Sequence, residues 1–282
     1  MKWLIYGGKG WIGSQVCDLL VEQGEEVIYG MSRADDSDGV ECEISSIKPN
    51  RVISLIGRTS GPGFGTIDYL EQKGKLIENV TDNLFAPMVL AFLCQRYGVH
   101  LTYLGTGCIF NGYDNDGYTE DSKPDFFGSS YSVVKGKTDQ LMHFFDDDVL
   151  NVRIRMPLSS EVHPRNFITK IMTYKKICSI PNSMTSLPEL MPIMIDMARN
   201  KITGTINLTN PGLITHNEIL EMVKEILDPE FTWENFTLEE QSQILLAGRS
   251  NNLLNTDNLV DLYPNVSPIK EAVRKIIMDM KK

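Results

Sequence analysis

The chain has 282 residues, 42% of them hydrophobic and 23% charged, which is enough apolar content to bury one sizeable core in a single globular unit or in two lobes. A net charge of −10 excludes the basic footprint that phosphate-backbone binding needs, so no nucleic-acid partner is expected. The apolar runs break before the roughly 18 residues that span a bilayer, and the first residues enter a strand pattern in place of a signal peptide, so a soluble cytoplasmic protein with no membrane partner is expected.

Residues 2–6 form a short apolar strand that runs into a glycine cluster, and Ile12, Val16, Leu19 and Leu20 then recur at helical spacing over 12–23. Short β-rich segments follow at 27–29, 52–56 and 101–104, with helix-like stretches at 71–83 and 84–97 between the last two. A helix over 131–145 and a strand over 150–154 complete an alternation that calls for a doubly wound parallel α/β sheet of Rossmann type. The expected division is a Rossmann lobe over 1–158, completed by about 185–211, and a smaller substrate lobe from 159–184 and 212–282. The methionines from Met184 to Met197 are at helical spacing and read as core. Thr215 with Glu218, and Thr237 with Glu240, are capping boxes that start two helices. The long segment from Asn111 to Ser130, rich in Asp, Gly and Pro, is expected to form an active-site rim.

Gly7, Gly10 and Gly13 lie between the first strand and the first helix. A pyrophosphate approaching backbone N–H groups at a helix N-terminus needs glycine there, because a Cβ would keep it away. Trp11 and Ile12 join them as cofactor-binding candidates. The GxxGxxG spacing resembles that of extended short-chain dehydrogenases/reductases. About 20 residues on, where an acidic residue would bind a ribose hydroxyl, stands Arg33, a guanidinium suited to a 2′-phosphate and hence to NADPH; Asp35 and Asp36 stand close enough to turn the preference to NADH. Tyr131 and Lys135, four apart on one helix face, are placed for an ammonium to lower a phenol pKa and hold a cofactor ribose, so that the phenol exchanges a proton with a carbonyl oxygen. Thr106, at the end of the 101–104 strand, is the hydroxyl partner. Five scattered cysteines with no CxxC pair argue against a disulfide framework and a metal site.

The strings IYGGKGWIG, TGCIF, SSYSVVK, VRIRMP, HPRNFITK, INLTNPG, THNEILEM and GRSNN resemble the nucleotide-rhamnose synthase/epimerase-reductase family over nearly the whole chain. Plant members of that family act on UDP-4-keto-6-deoxyglucose, and bacterial dTDP-4-dehydrorhamnose reductase looks like a more distant relative. The resemblance implies 3,5-epimerisation and then NADPH-dependent reduction at C4, giving UDP-L-rhamnose, with the ketosugar supplied by a separate 4,6-dehydratase and a homodimer as the assembly. It also implies that Cys108 and Lys170 are the epimerase acid and base, in either order at each centre. Arg165, Asn166, Asn182, His216, Arg249 and Asn251 are the candidate substrate contacts, and Arg249 is the candidate pyrophosphate clamp. The chain departs from the plant pattern in the glycine-rich run from Gly57 to Gly65 and in a shorter loop after Phe110. Three alternatives stay open: a 4-reductase alone, a GDP-fucose synthase-like enzyme in which His163 takes the acid/base role, and a silent NADPH-binding sensor.

Overall fold

The computed structural model describes residues 1–113 and 116–281. β1 (Lys2–Tyr6), the glycine turn and α1 (Trp11–Glu22) open the fold. β2 (Glu26–Tyr29), α2 (Ser37–Ile47) and β3 (Arg51–Ser54) follow. A 3-10 turn (Ile67–Glu71) then precedes α3 (Leu76–Val80) and α4 (Ala86–Tyr97), which lead to β4 (His100–Thr106). After α5 (Ser130–Met142) and β5 (Val149–Ile154) come the short β6 (Pro157–Leu158), α6 (Phe167–Thr173), β7 (Lys176–Ile177) and β8 (Thr185–Ser186). The chain ends with α7 (Leu187–Arg199), β9 (Gly204–Asn207), α8 (His216–Ile226), β10 (Glu234–Asn235), α9 (Leu238–Ile244), α10 (Asp257–Leu262) and α11 (Ile269–Met280).

Six parallel strands form the central sheet in the order β2-β1-β3-β4-β5-β9. Alternation along β1 sends Trp3 and Ile5 into the core under α1 and α7, and Leu4 and Tyr6 into the core under α2 and α4. Helices therefore cover both faces, as parallel sheets require. The order reverses between β1 and β3, so the crevice beyond their carboxyl ends is the place where such sheets bind ligands. A third core, from α6, α8 and α11 with Met184, Ile214 and Leu158, builds the smaller lobe. Both capping boxes are formed, at Thr215 with Glu218 and at Thr237 with Glu240.

Three elements differ from the sequence reading. α2 was not foreseen, because only Val40 and Ile44 of its residues are buried and the apolar signal is thin. The two helices expected over 71–83 and 84–97 are one helical run, Leu76–Tyr97, through a π-turn at Thr81–Phe85. Pro87 has no N–H to give the carbonyl four residues back, and that carbonyl, of Asn83, accepts the Thr138 hydroxyl at 2.6 Å instead. The run is long and apolar enough by composition to cross a bilayer, contrary to the expectation of interrupted apolar runs. Glu78 and Asp82 break the apolar sequence but not the helix, and half of the window is buried inside the protein, where α4 packs on α2, β3 and β4.

Candidate functional site

A cavity of about 660 Å³ opens at the carboxyl ends of β1, β3 and β4 and extends into the smaller lobe. Gly10, Trp11, Ile12 and Gly13 line one end, Thr106, Cys108, Tyr131 and Lys135 the middle, and Arg165, Lys170, His216, Arg249 and Asn251 come from the smaller lobe. The glycine turn fits a dinucleotide. Gly7 sits at φ +81°, and a Cβ at Gly13 would stand 2.1 Å from the Gly7 carbonyl oxygen, so the turn closes only without side chains. α1 has neither a side-chain cap nor an acidic residue in its first turn, leaving its leading N–H groups and positive dipole end to an anion. Trp11 is held by an indole N–H bond to Glu161 (2.9 Å) and stacks on His163 at 5.2 Å.

α5 places the phenol and the ammonium. Ser129 caps it by accepting from the Ser132 N–H (3.1 Å), the Glu71 carboxylate accepts from the Ser130 N–H (2.7 Å), and the Ser132 hydroxyl donates to the Cys108 carbonyl (2.7 Å). These bonds tie the start of the helix to the loop after β4. Thr106 Oγ1 accepts from the Cys108 N–H (3.1 Å). Burial, and then the nearby Cys108, push the Tyr131 phenol up; the Thr106 hydroxyl and the Arg155 charge act the other way. Lys135, 4% exposed, donates to the Tyr103 hydroxyl with its ammonium 4.5 Å from that ring, and burial pushes it down to about 8. The expected arrangement, Lys135 lowering Tyr131, is therefore corrected: the ammonium rests on Tyr103, and Lys135 is not among the groups that act on the Tyr131 phenol.

Cys108 is half-buried on the cavity wall. Lys170 Nζ donates to the Gly65 carbonyl (3.2 Å), so the glycine-rich run from Gly57 to Gly65 meets the candidate acid/base lysine. Burial, and then the charges of Arg165 and Arg249, push Lys170 down, which raises its neutral fraction. Arg249 is ion-paired with Asp68 and donates to the Ala247 carbonyl (2.7 Å). Burial of Asp68 favours its neutral form, but bonds from the Thr66 hydroxyl, the Ala247 N–H (3.0 Å) and Arg249 outweigh it and hold the carboxyl at about 2. Asp68 thus pins residues 246–249 at the cavity mouth. His216 packs edge-on against Phe167, and burial pushes it down to about 4, so it brings no charge to a phosphate at neutral pH.

Several expected site residues lie elsewhere. Asn166 is fully buried as the cap of α6; it accepts from Ile168 N–H (3.2 Å) and donates to the Ser159 and Glu161 carbonyls (both 2.7 Å). Asn182 is also fully buried, accepting from Arg155 (2.5 Å) and the Asn252 N–H (3.1 Å) and donating to Asn251 Oδ1 (2.9 Å). Both are scaffold groups outside the cavity lining. Arg33 is exposed, paired with Asp35 at 2.9 Å, and His163 is taken up by its stack on Trp11 and by a bond from the Arg165 N–H (3.1 Å). The described part of the 111–130 segment, which excludes residues 114 and 115, does not line the cavity. It braces the fold instead: Tyr118 stacks on Phe110, and the Thr119 carbonyl accepts from Arg153. Tyr103, Asp68, Ser132 and Arg155 were missed. Only Arg155 carried a signal, as a second charge two residues after Arg153, just past the end of a mostly apolar strand.

The family model for the RmlD substrate binding domain matches residues 1–176. The chain is 63% identical to a UDP-rhamnose synthase from Acanthamoeba polyphaga mimivirus, whose crystal structure matches with a TM-score of 0.98 over 99% of both chains. It is 41% identical to the bifunctional dTDP-4-dehydrorhamnose 3,5-epimerase/dTDP-4-dehydrorhamnose reductase of Arabidopsis thaliana, over 100% of this chain and 94% of that one. A trifunctional UDP-glucose 4,6-dehydratase/UDP-4-keto-6-deoxy-D-glucose 3,5-epimerase/UDP-4-keto-L-rhamnose-reductase from the same plant is also 41% identical, and the match covers 42% of its length.

Proposed function

The chain belongs to the RmlD substrate-binding family, and on that premise we propose that it epimerises C3 and C5 of UDP-4-keto-6-deoxy-D-glucose and reduces C4 with NADPH, giving UDP-L-rhamnose. The observation that carries the reading is the presence in one cavity of the glycine turn, the Thr106, Tyr131 and Lys135 set, and two further proton-transfer groups, Cys108 and Lys170. A reductase alone needs only the first two.

C3 and C5 flank the C4 ketone. When a C–H bond breaks at either centre, its electron pair moves to the C4 oxygen as an enolate, and its proton goes to Cys108 or Lys170; return of a proton on the other face inverts the centre. Gly7, Gly10, Gly13 and the first turn of α1 would hold the dinucleotide pyrophosphate, Lys135 its ribose and Arg33 its 2′-phosphate. A nicotinamide held there would supply the hydride for C4. Tyr131 then gives its proton to the C4 oxygen, and its high pKa keeps that proton in place until the oxygen becomes basic. Arg249 meets the sugar-nucleotide diphosphate after leaving Asp68. A separate 4,6-dehydratase is the proposed source of the ketosugar. A cytoplasmic homodimer is the proposed setting.

The test is incubation of the protein with UDP-4-keto-6-deoxyglucose in deuterium oxide, following NADPH absorbance and the sugar protons by NMR. Exchange at C3 and C5, oxidation of NADPH and a β-L-rhamnosyl product are expected. Cys108→Ala loses the exchange yet still reduces an already epimerised ketosugar. Reduction of that ketosugar with no exchange by the unmodified protein would leave a 4-reductase alone.

A further inference from the structure

Arg155 follows the end of β5 and is completely buried. Its guanidinium donates to the Gly107 carbonyl (2.9 Å), the Ser250 hydroxyl (2.9 Å) and carbonyl (3.0 Å), Asn182 Oδ1 (2.5 Å) and the Ser183 carbonyl (3.3 Å). Every acceptor is neutral. Arg153, two residues earlier, shows the usual solution for a buried arginine, a two-pronged pair with Asp139 at 2.8 Å on both arms. A buried charge without a counter-charge is costly to desolvate, and here only neutral hydrogen bonds offset that cost.

The position of the charge gives it a use. Its side chain runs directly under Gly107, where a Cβ would meet Arg155 Cγ and Cδ at 3.1 Å. The titratable groups that feel it are Cys108 and Tyr113 on the loop after β4 and Tyr131 on α5, all of which are neutral or negative. The other packed segments offer Asn182, Ser183, Ser250 and Asn252, which do not titrate, and beyond them Arg249 is balanced by Asp68. Asn252 ties the same loop from the other side, donating to the Gly107 (2.9 Å) and Phe110 (2.8 Å) carbonyls.

We propose that Arg155 is a positioning residue for the epimerase half of the reaction, whose unpaired buried charge, lying behind Gly107, Cys108 and Tyr131, is balanced when proton removal from C3 or C5 puts a negative charge into the site. The inference rests on the 4-ketosugar reading above. The C–H pair moves to the C4 oxygen, the proton passes to the acid/base group, and the guanidinium itself neither gains nor loses a proton. Because the charge cannot move or titrate, it is present before each turnover and needs no reorganisation.

The experiment measures C3 and C5 deuterium exchange against pH for the full-length protein with UDP-4-keto-6-deoxyglucose, alongside NADPH binding and reduction of pre-epimerised ketosugar. Asn182→Asp places a carboxylate on the acceptor already 2.5 Å from the guanidinium, supplying the missing counter-charge at the cost of the amide bond to Asn251 Oδ1 (2.9 Å), a loss that Asn182→Ala shares without adding charge and so controls for. Asn182→Asp is expected to slow exchange about tenfold or more and move the pH midpoint up by about one pH unit, with NADPH binding unchanged. Arg155→Met shows the same alkaline shift with a larger loss, and Arg155→Lys restores the midpoint while recovering only part of the rate. If Asn182→Asp leaves the profile in place, or if it and both Arg155 variants lose exchange and reduction in equal proportion with no shift, Arg155 is a structural tie and the proposal fails. If Arg155→Met does not fold, Asn182→Asp and Arg155→Lys decide the matter between them. Absence of exchange in the unmodified protein would instead refute the epimerase reading itself.

Discussion

Lys135→Met should make the protein more stable and inactive at once. Burial holds the Lys135 ammonium at about 8 against an ordinary 10.5, which is about 3 kcal/mol of cost borne by the folded state at neutral pH. The direction follows from which state loses its proton first. Below pH 8 the lysine is protonated in both states and the whole cost applies; between 8 and 10.5 the folded protein sheds the proton while the unfolded chain keeps it, and the cost drains away. By pH 9.5 about 1 kcal/mol of it remains. Methionine fills similar volume without charge, and the Tyr103 hydroxyl left without its donor costs about 1 kcal/mol at either pH. Urea unfolding of the two proteins is thus expected to favour the variant by about 2 kcal/mol at pH 7, with the gap moving toward the unmodified protein by about 2 kcal/mol at pH 9.5. Other groups titrate alike in both proteins and cancel in the difference. A gap that does not change with pH, or an unmodified protein that is the more stable at pH 7, would refute the account of Lys135 as a buried charge retained for its chemistry.

Asp68→Asn should cost about 2 kcal/mol at pH 7, from a carboxyl held at about 2 against an ordinary 3.8. That stability is present above pH 4 and lost as the pH falls toward 2, so urea midpoints of the two proteins converge in acid. Arg33→Ala should raise the KM for NADPH about tenfold and leave that for NADH unchanged, measured in parallel steady-state assays, because an exposed pair with Asp35 gives little resistance to a 2′-phosphate.

The sheet was legible because its signals are local. The glycines stand beside the strand they follow, each strand is a short apolar run, and the capping boxes span four residues. α2 had only two buried apolar residues to announce it, and the π-turn depends on one proline whose effect reaches a carbonyl four residues back and a hydroxyl on another helix. At the site, the residue types that face the cavity were readable, whereas burial was not. Asn166 and Asn251 look alike in sequence; one closes a helix in the interior and the other lines the cavity. Nothing near Tyr103 indicates that it will receive an ammonium from residue 135, and nothing near Asp68 points to Arg249.

These unforeseen contacts share a physical character. Lys135 on Tyr103, Arg155 on neutral oxygens and Asp68 against Arg249 bring ionised groups into the interior through partners between 27 and 181 residues away. Periodicity reports only which positions are apolar, so it finds the layers that hold the site and passes over charges the fold buries at a loss. Arg153 with Asp139 is a buried pair balanced on the spot, within 14 residues of chain, and it braces the sheet. Among the described residues Lys135 and Arg155 form no such ion pair; Lys135 feels Asp139 and Cys108, Arg155 feels Cys108 and Tyr131, and proton transfers at the last two would supply negative charge. A charge that the fold leaves unbalanced is therefore a better guide to the chemistry here than a charge that it pairs.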